Sequence, residues 1–162
     1  MSTSAAAAAA EGPHGYIQGA CLCGRVKATL RRPVPGEMKL CHCTDCRKFT
    51  GAMWGAHPLP CVVAHDLSAA YILTMPEGDL TLEGEFKSFF SGGDSGQSVG
   101  RHFCGNCGSS LYDTGDDSPG WVFVHSGLFP PKSIPPPNLE IYWCNAESWE
   151  VVHPGCKTVD RQ

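Results

Sequence analysis

Ten cysteines carry the chemical interest of this chain, and seven of them fall in three tight motifs: Cys21-Leu22-Cys23-Gly24, Cys41-His42-Cys43-Thr44-Asp45-Cys46-Arg47 and Cys104-Gly105-Asn106-Cys107-Gly108. Spacing makes each motif a metal-ligand candidate. Side chains alternate faces along a strand, so a C-x-C pair at a strand end points two sulfurs the same way. A C-x-x-C turn also brings two sulfurs together, and a glycine after it relieves the tight backbone. Zn²⁺ takes four ligands in a tetrahedron, with Zn–S distances of about 2.3 Å.

Seven ligands divide as four plus three. We assign Cys21, Cys23, Cys104 and Cys107 to one site and Cys41, Cys43 and Cys46 to another. Four thiolates leave no open position, so the first site is expected to be structural, its binding energy part of the folding energy. Three protein ligands leave one position for water or substrate, the arrangement of a reactive zinc. Cys46, near the start of an expected helix, would also feel the positive end of the helix dipole, which favours thiolate. Other readings stay open at this point: plain reduced thiols, disulfides, or an exchange of partners between the first two motifs. A fourth ligand from Cys61, Cys144 or Cys156 would close the second site as well.

Three thiolates already overcompensate Zn²⁺. Such an ion is a weaker Lewis acid than one held by neutral imidazoles, but it still lowers the pKa of a bound thiol. The natural exchangeable ligand is therefore a substrate thiol, and the natural electrophile a small aldehyde. Addition gives a hemithioacetal, and the reverse step breaks a carbon–sulfur bond.

The elements that must hold these motifs are short. The chain has 162 residues with 19 glycines and 13 prolines, a composition of many turns and brief strands. This length favours one domain able to bury roughly 70% of its unfolded surface. Alternation or β-branched and aromatic enrichment marks strands at 25–30, 80–90, 99–104, 110–113, 121–126 and 139–144. One short helix is expected at 44–49, with Thr44 as N-cap, Asp45 in the first turn and Gly51 as stop. The segment 66–71 reads as helix or coil. Residues 1–14, with their alanine run, read as a disordered tail, 15–154 as the domain and 155–162 as a loose C-terminal tail. The class is mainly β, short antiparallel strands stapled by zinc, with little helix.

Several functions are excluded. No apolar run approaches the ~18 residues of a membrane span. A formal charge of −4 argues against a general nucleic-acid binder. The N-terminal segment lacks the basic and apolar regions of a secretion signal, so reduced thiols in a cytoplasmic setting are expected.

The runs GACLCGRVKATL, CHCTDCRKFTGA, RHFCGNCGSSLY and EIYWCNAESW together resemble the glutathione-dependent formaldehyde-activating family, also called the centromere protein V/GFA domain. The resemblance covers roughly residues 15 to 152. It implies a β-tent type fold with two zinc sites. Cys21, Cys23, Cys104 and Cys107 would hold the structural ion, and Cys41, Cys43 and Cys46 the catalytic one. The implied activity is a carbon–sulfur lyase that interconverts glutathione plus formaldehyde with S-hydroxymethylglutathione. One departure is plain: the family's Gly-x-Leu-Asp turn is replaced here by Gly127-Leu128-Phe129-Pro130 and a proline-rich loop. That difference admits the same scaffold acting on another electrophile or sulfur-bearing metabolite. A non-catalytic zinc-stapled interaction module is the remaining alternative.

Around the motifs, Arg47 and Arg101 are candidates for holding an anionic substrate such as glutathione, because Arg suits bidentate carboxylate contacts. Lys48 reads as surface charge. Asp45 reads as a first-turn helix residue or an acceptor behind the ligands. His42, between two ligands, is expected to face away from them. His102 and His125 are expected to be structural or exposed, and Trp54, Trp121, Trp143 and Trp149 to be core or pocket wall. The general acid–base group is not identifiable at this level.

Overall fold

The computed structural model describes residues 16–31, 37–52, 70–93 and 96–161. The expected N-terminal tail, Trp54, Cys61 and positions 66–69 lie outside the described residues. The elements run β1 (Tyr16–Ala20), β2 (Lys27–Arg31), β3 (Glu37–Cys41), α1 (Thr44–Thr50), β4 (Ala70–Pro76), β5 (Leu80–Glu83), β6 (Phe86–Gly92), β7 (Ser98–Cys104), β8 (Ser110–Gly115), β9 (Trp121–His125), β10 (Leu139–Ile141) and β11 (Lys157–Val159), with three short 3₁₀ turns. The protein is mainly β with one α-helix among the described residues.

Two sheets share the strands. β1, β2 and β5 form a three-stranded antiparallel sheet, and the rest form an eight-stranded sheet in the order β11-β10-β3-β4-β9-β8-β7-β6. Within the larger sheet β10 runs parallel to both β3 and β11, and the other pairs are antiparallel. The expected strand over 80–90 is two strands in two different sheets. Gly84 makes the break: its φ is +110°, and a Cβ there would lie 2.1 Å from the Arg25 carbonyl oxygen, so only glycine lets the chain cross. The C-terminal segment extends the sheet, since Leu139, Glu140 and Ile141 pair with Lys157, Thr158 and Val159.

Register divides the large sheet into two faces. Met38, Leu73, Val124, Tyr112 and His102 are successive cross-strand partners and share one face. That face carries Met38, Leu73, Met75, Val122 and Val124 onto Ile17, Val26, Ala28 and Leu30 of the small sheet, all buried in one core. A bulge at His102/Phe103 leaves Leu111 as the extra residue of β8, and Leu111 joins this core. Burying each Val, Leu, Ile or Met stabilises by roughly 1.5–3 kcal/mol. The core lies between the sheets, and the opposite face of the large sheet is left for other work.

That opposite face is set by a second chain of partners. Lys39 pairs with Ile72, Ile72 with His125, Thr74 with Phe123, Phe123 with Asp113 and Asp113 with Arg101. Cys41 sits on it too, two residues from Lys39. Helix α1 contacts β4 beside this face. Two tryptophans depart from the expected core role: Trp121 and Trp149 are half exposed. His102 and His125 are both buried.

Candidate active site

The structure brings the seven clustered cysteines together as two groups. The sulfurs of Cys21, Cys23, Cys104 and Cys107 lie within 4.8 Å of one another, and so do those of Cys41, Cys43 and Cys46. All nine described cysteines are free thiols. Cys144 is exposed, its Sγ donating to the Asp160 carbonyl at 3.0 Å, and Cys156 belongs to neither group.

The four-sulfur group is made by two turns. The Gly24 N–H bonds the Cys21 carbonyl at 2.9 Å and the Gly108 N–H bonds the Cys104 carbonyl at 2.9 Å. Gly24 and Gly108 have φ of +73° and +74°, which L side chains rarely adopt. Donors converge on the sulfurs: the Val26 N–H reaches Cys21 Sγ at 3.2 Å, and Ser109 Oγ lies 3.3 Å from Cys107 Sγ. The Ser109 hydroxyl and backbone N–H hold the Cys107 thiol down to about 5. Four converging sulfurs with thiolate-stabilising donors fit a tetrahedral thiophilic ion.

The three-sulfur group spans the end of β3 and the start of α1. The helix N-cap is Cys43 rather than Thr44, and its Sγ accepts from the Cys46 N–H at 3.3 Å. A ligand sulfur thus replaces the usual capping oxygen. Gly51, at φ +62°, ends the helix. The sulfurs are tightly coupled. Cys41 and Cys46 stabilise the Cys43 thiolate and pull its pKa down to about 2. Cys43 in turn pushes Cys41 up to about 12, and Cys41 and Cys43 push Cys46 upward. A buried cluster of this kind holds one thiolate easily and three only around a cation, so this donor set also fits a metal ion.

A cavity of about 230 Å³ opens onto the triad, lined by Cys41, Cys43 and Cys46 together with Arg101, Asp113 and Phe123. Ile72 and Ile141 pack directly against Cys41 and Cys46. Arg101 is 6% exposed. Its Nη1 donates to Ser91 Oγ at 2.6 Å and its Nη2 to Asp45 Oδ2 at 3.1 Å. Asp45 therefore ties the helix to β7 through Arg101. Arg47 is turned elsewhere: Nη1 donates to the Asn145 carbonyl at 2.9 Å and Nη2 to Glu147 Oε1 at 2.8 Å.

His42 faces away from the sulfurs, as alternation requires, into a buried acidic pair. Nε2 lies 2.8 Å from Glu140 Oε2 and Nδ1 lies 3.0 Å from Glu150 Oε2. The Trp143 ring meets the imidazole edge-on at 5.1 Å. On the cavity side, Asp113 Oδ2 lies 3.3 Å from His125 Nε2. Sequence reasoning missed Glu140, Glu150 and Asp113. None has a local signal, because His42 and Glu140 are 98 residues apart in the chain.

The fold and site define a class: a mainly β domain whose two sheets position one cluster of four thiols and one of three, each able to hold a metal ion. The model of the family described as glutathione-dependent formaldehyde-activating enzyme matches residues 16–145, and the chain belongs to that family. A crystal structure of a Rhodobacter sphaeroides structural-genomics target is similar in fold, at 18% identity and a TM-score of 0.50, covering 74% of this chain and 92% of that one. No curated protein matches this chain.

Proposed function

We propose that this protein is a zinc-dependent carbon–sulfur lyase that forms or cleaves a thiol–aldehyde adduct, with glutathione as the thiol and a formaldehyde-like electrophile. The observation that supports this most is the incomplete donor set beside a cavity. Among the described residues, Cys41, Cys43 and Cys46 gather without a fourth Cys, His, Asp or Glu ligand atom, and all three line the pocket. In this reading Cys21, Cys23, Cys104 and Cys107 hold a structural ion, and the triad holds the catalytic one. The chemistry that ion supplies is stabilisation of thiolate charge on a substrate sulfur.

The chain's own residues do the rest. Arg101 lines the cavity with its terminal nitrogens on Ser91 and on Asp45, whose carboxylate pairs with its charge, and we assign this guanidinium to the polar part of the thiol substrate. Arg47, expected from sequence to hold the same substrate, is bonded to Asn145 and Glu147 and is not among the residues that line this cavity, so we assign the substrate contact to Arg101 alone. Ile72, Phe123 and Ile141 give the cavity apolar walls that exclude water and strengthen electrostatic contacts inside it. The free thiols of the nine described cysteines fit a reducing, cytoplasmic compartment.

A second reading, the same scaffold acting on another electrophile, is favoured by one feature. The loop of Pro130, Pro131, Pro135, Pro136 and Pro137 lines a separate, larger cavity of about 780 Å³ that also reaches His125. The test covers both readings. Zinc-loaded protein is mixed with glutathione and ¹³C-labelled formaldehyde, then with larger aldehydes, and adduct exchange is read by NMR. We expect acceleration of about 100-fold or more over buffer. Protein that carries two ions per chain and accelerates exchange with no aldehyde contradicts the lyase and leaves an interaction module.

A further inference from the structure

We propose that Asp113 is the acid–base group of this site and that it works with the Nε–H of Arg101. The proposal rests on the lyase reading above.

Asp113 and Arg101 are direct cross-strand partners on the sheet face that carries Cys41, and both line the cavity of the triad. Paired positions of this kind bring Cβ atoms to about 5 Å. Asp113 is 5% exposed and Arg101 6%. Neither is fully satisfied. The two terminal nitrogens of Arg101 are taken by Ser91 and Asp45, and its Nε has no hydrogen-bond partner. Asp113 Oδ2 is approached by His125, and its Oδ1 has no hydrogen-bond partner. A purely structural Asp113–Arg101 pair would have closed on itself. Instead Arg101 bonds Asp45 on the helix, and Arg101 Nε–H and Asp113 Oδ1 are left over on adjacent strands, with Thr74 Oγ1 and His125 Nε2 also unpartnered on the same face.

Buried polar groups without partners are unfavourable, and native sites keep them for a purpose. A donor N–H and an acceptor oxygen side by side suit a group that accepts from one and donates to the other. A hydroxyl is the smallest such group. A hemithioacetal carries a hydroxyl on the carbon bonded to sulfur. Its sulfur belongs at the triad, and its hydroxyl then belongs between Arg101 and Asp113.

The step balances without any further reagent. Addition of a thiol to an aldehyde forms one C–S bond, turns the C=O π pair into a lone pair on oxygen, and moves one proton from sulfur to that oxygen. Asp113 Oδ1 takes the proton from the thiol and returns it to the carbonyl oxygen. Arg101 Nε–H bonds that oxygen while its charge develops. In cleavage the same carboxylate removes the hydroxyl proton as the C–S bond breaks. His125 Nε2 stands 3.3 Å from Oδ2 without a hydrogen bond to it, and Oδ1, likewise unpartnered, is the working atom. Nothing is oxidised or reduced.

The experiment compares wild type, Asp113→Asn and Asp113→Ala, each zinc-loaded, with glutathione and formaldehyde. Asp113→Asn keeps the shape and loses the base, so exchange should fall about 100- to 1,000-fold. Zinc content and glutathione affinity should stay within about twofold of wild type. Added formate should restore part of the exchange in Asp113→Ala, which a merely structural role would not allow. A second readout uses wild type alone. S-(2-hydroxyethyl)glutathione should bind about tenfold tighter than S-ethylglutathione, one satisfied hydrogen-bond pair being worth roughly that factor. Exchange by Asp113→Asn within about threefold of wild type, or equal affinity for the two thioethers, overturns the proposal and leaves the lyase reading intact. Wild type that accelerates exchange with no aldehyde overturns the lyase reading itself.

Discussion

His42 Nε2 lies 2.8 Å from Glu140 Oε2, with the two side chains 2% and 1% exposed, directly behind a strand end that offers Cys41 and Cys43 to the cavity. The contact joins the cysteine motif to β10, which also pairs in parallel with β3. A second carboxylate, Glu150, stands 3.0 Å from the other ring nitrogen without a hydrogen bond to it. The imidazole is thereby held by Glu140, beside a second acid, and the sulfurs on either side of it in the chain are held with it.

Removing one partner from so buried a contact should be costly. Glu140→Ala is expected to destabilise the fold by roughly 3–5 kcal/mol, because it leaves His42 and the His153 N–H without their acceptor. Denaturant unfolding at neutral pH measures this. A loss below about 1 kcal/mol would show that the clamp does not hold the motif.

The two cysteine groups should respond differently to loss of one sulfur. Cys43→Ser should leave a folded protein with close to one ion per chain and exchange activity reduced to background. Cys104→Ser should give protein that is insoluble or melts far below wild type, because its group joins the turn after β1 to the end of β7. Solubility, melting temperature and zinc content check the pair. Equal stability of the two variants would reverse the assignment of roles.

Metal loading of the triad should release protons. Without a cation, Cys43 is the ionised member, while Cys41, pushed up to about 12, and Cys46, also pushed upward, keep their protons at neutral pH. Three ligating thiolates therefore require about two protons to leave per ion. Apparent affinity should rise with pH by up to about 100-fold per unit near neutrality and fall correspondingly in acid. Calorimetric zinc titration of Cys104-group-loaded protein in buffers of different ionisation enthalpy gives the proton count. A count near zero would mean that all three sulfurs are already ionised.

The seat of the small sheet can be probed without touching either group. A Cβ on Gly19 would lie 2.4 Å from the Leu128 carbonyl oxygen and 2.7 Å from Phe129 Cδ1. Gly19→Ala should thus destabilise by roughly 1–3 kcal/mol through overpacking, with zinc content unchanged. A neutral or stabilising effect in thermal melts would show that the 128–129 segment gives way easily.

The parts of this protein legible in sequence are those with local signals. Cys21, Cys23, Cys41, Cys43, Cys46, Cys104 and Cys107 stand at ligand spacing, and α1 is announced by its polar start and by Gly51. Alternation also found β2, where Ala28 and Leu30 face the core. Legibility failed where a residue acts through a distant partner. Gly84 breaks an apparent strand because the Arg25 carbonyl lies against it. Asp113 looks like a strand-end polar residue until its neighbours Arg101 and His125 are known. The short strands β1, β3 and β11 carry little alternation of their own and are specified mainly by the partners they pair with.

One thiol group is closed by four sulfurs, and among the described residues the other is a ligand short. Zinc withdrawal from fully loaded protein by a chromophoric chelator, followed over time with and without glutathione, tests this difference most directly. Two phases of one ion each are expected: a fast phase that glutathione alters and that is absent in Cys43→Ser, and a slow phase that glutathione leaves unchanged and that ends in unfolding. A single phase releasing both ions together, or two ions equally inert and indifferent to glutathione, would contradict it.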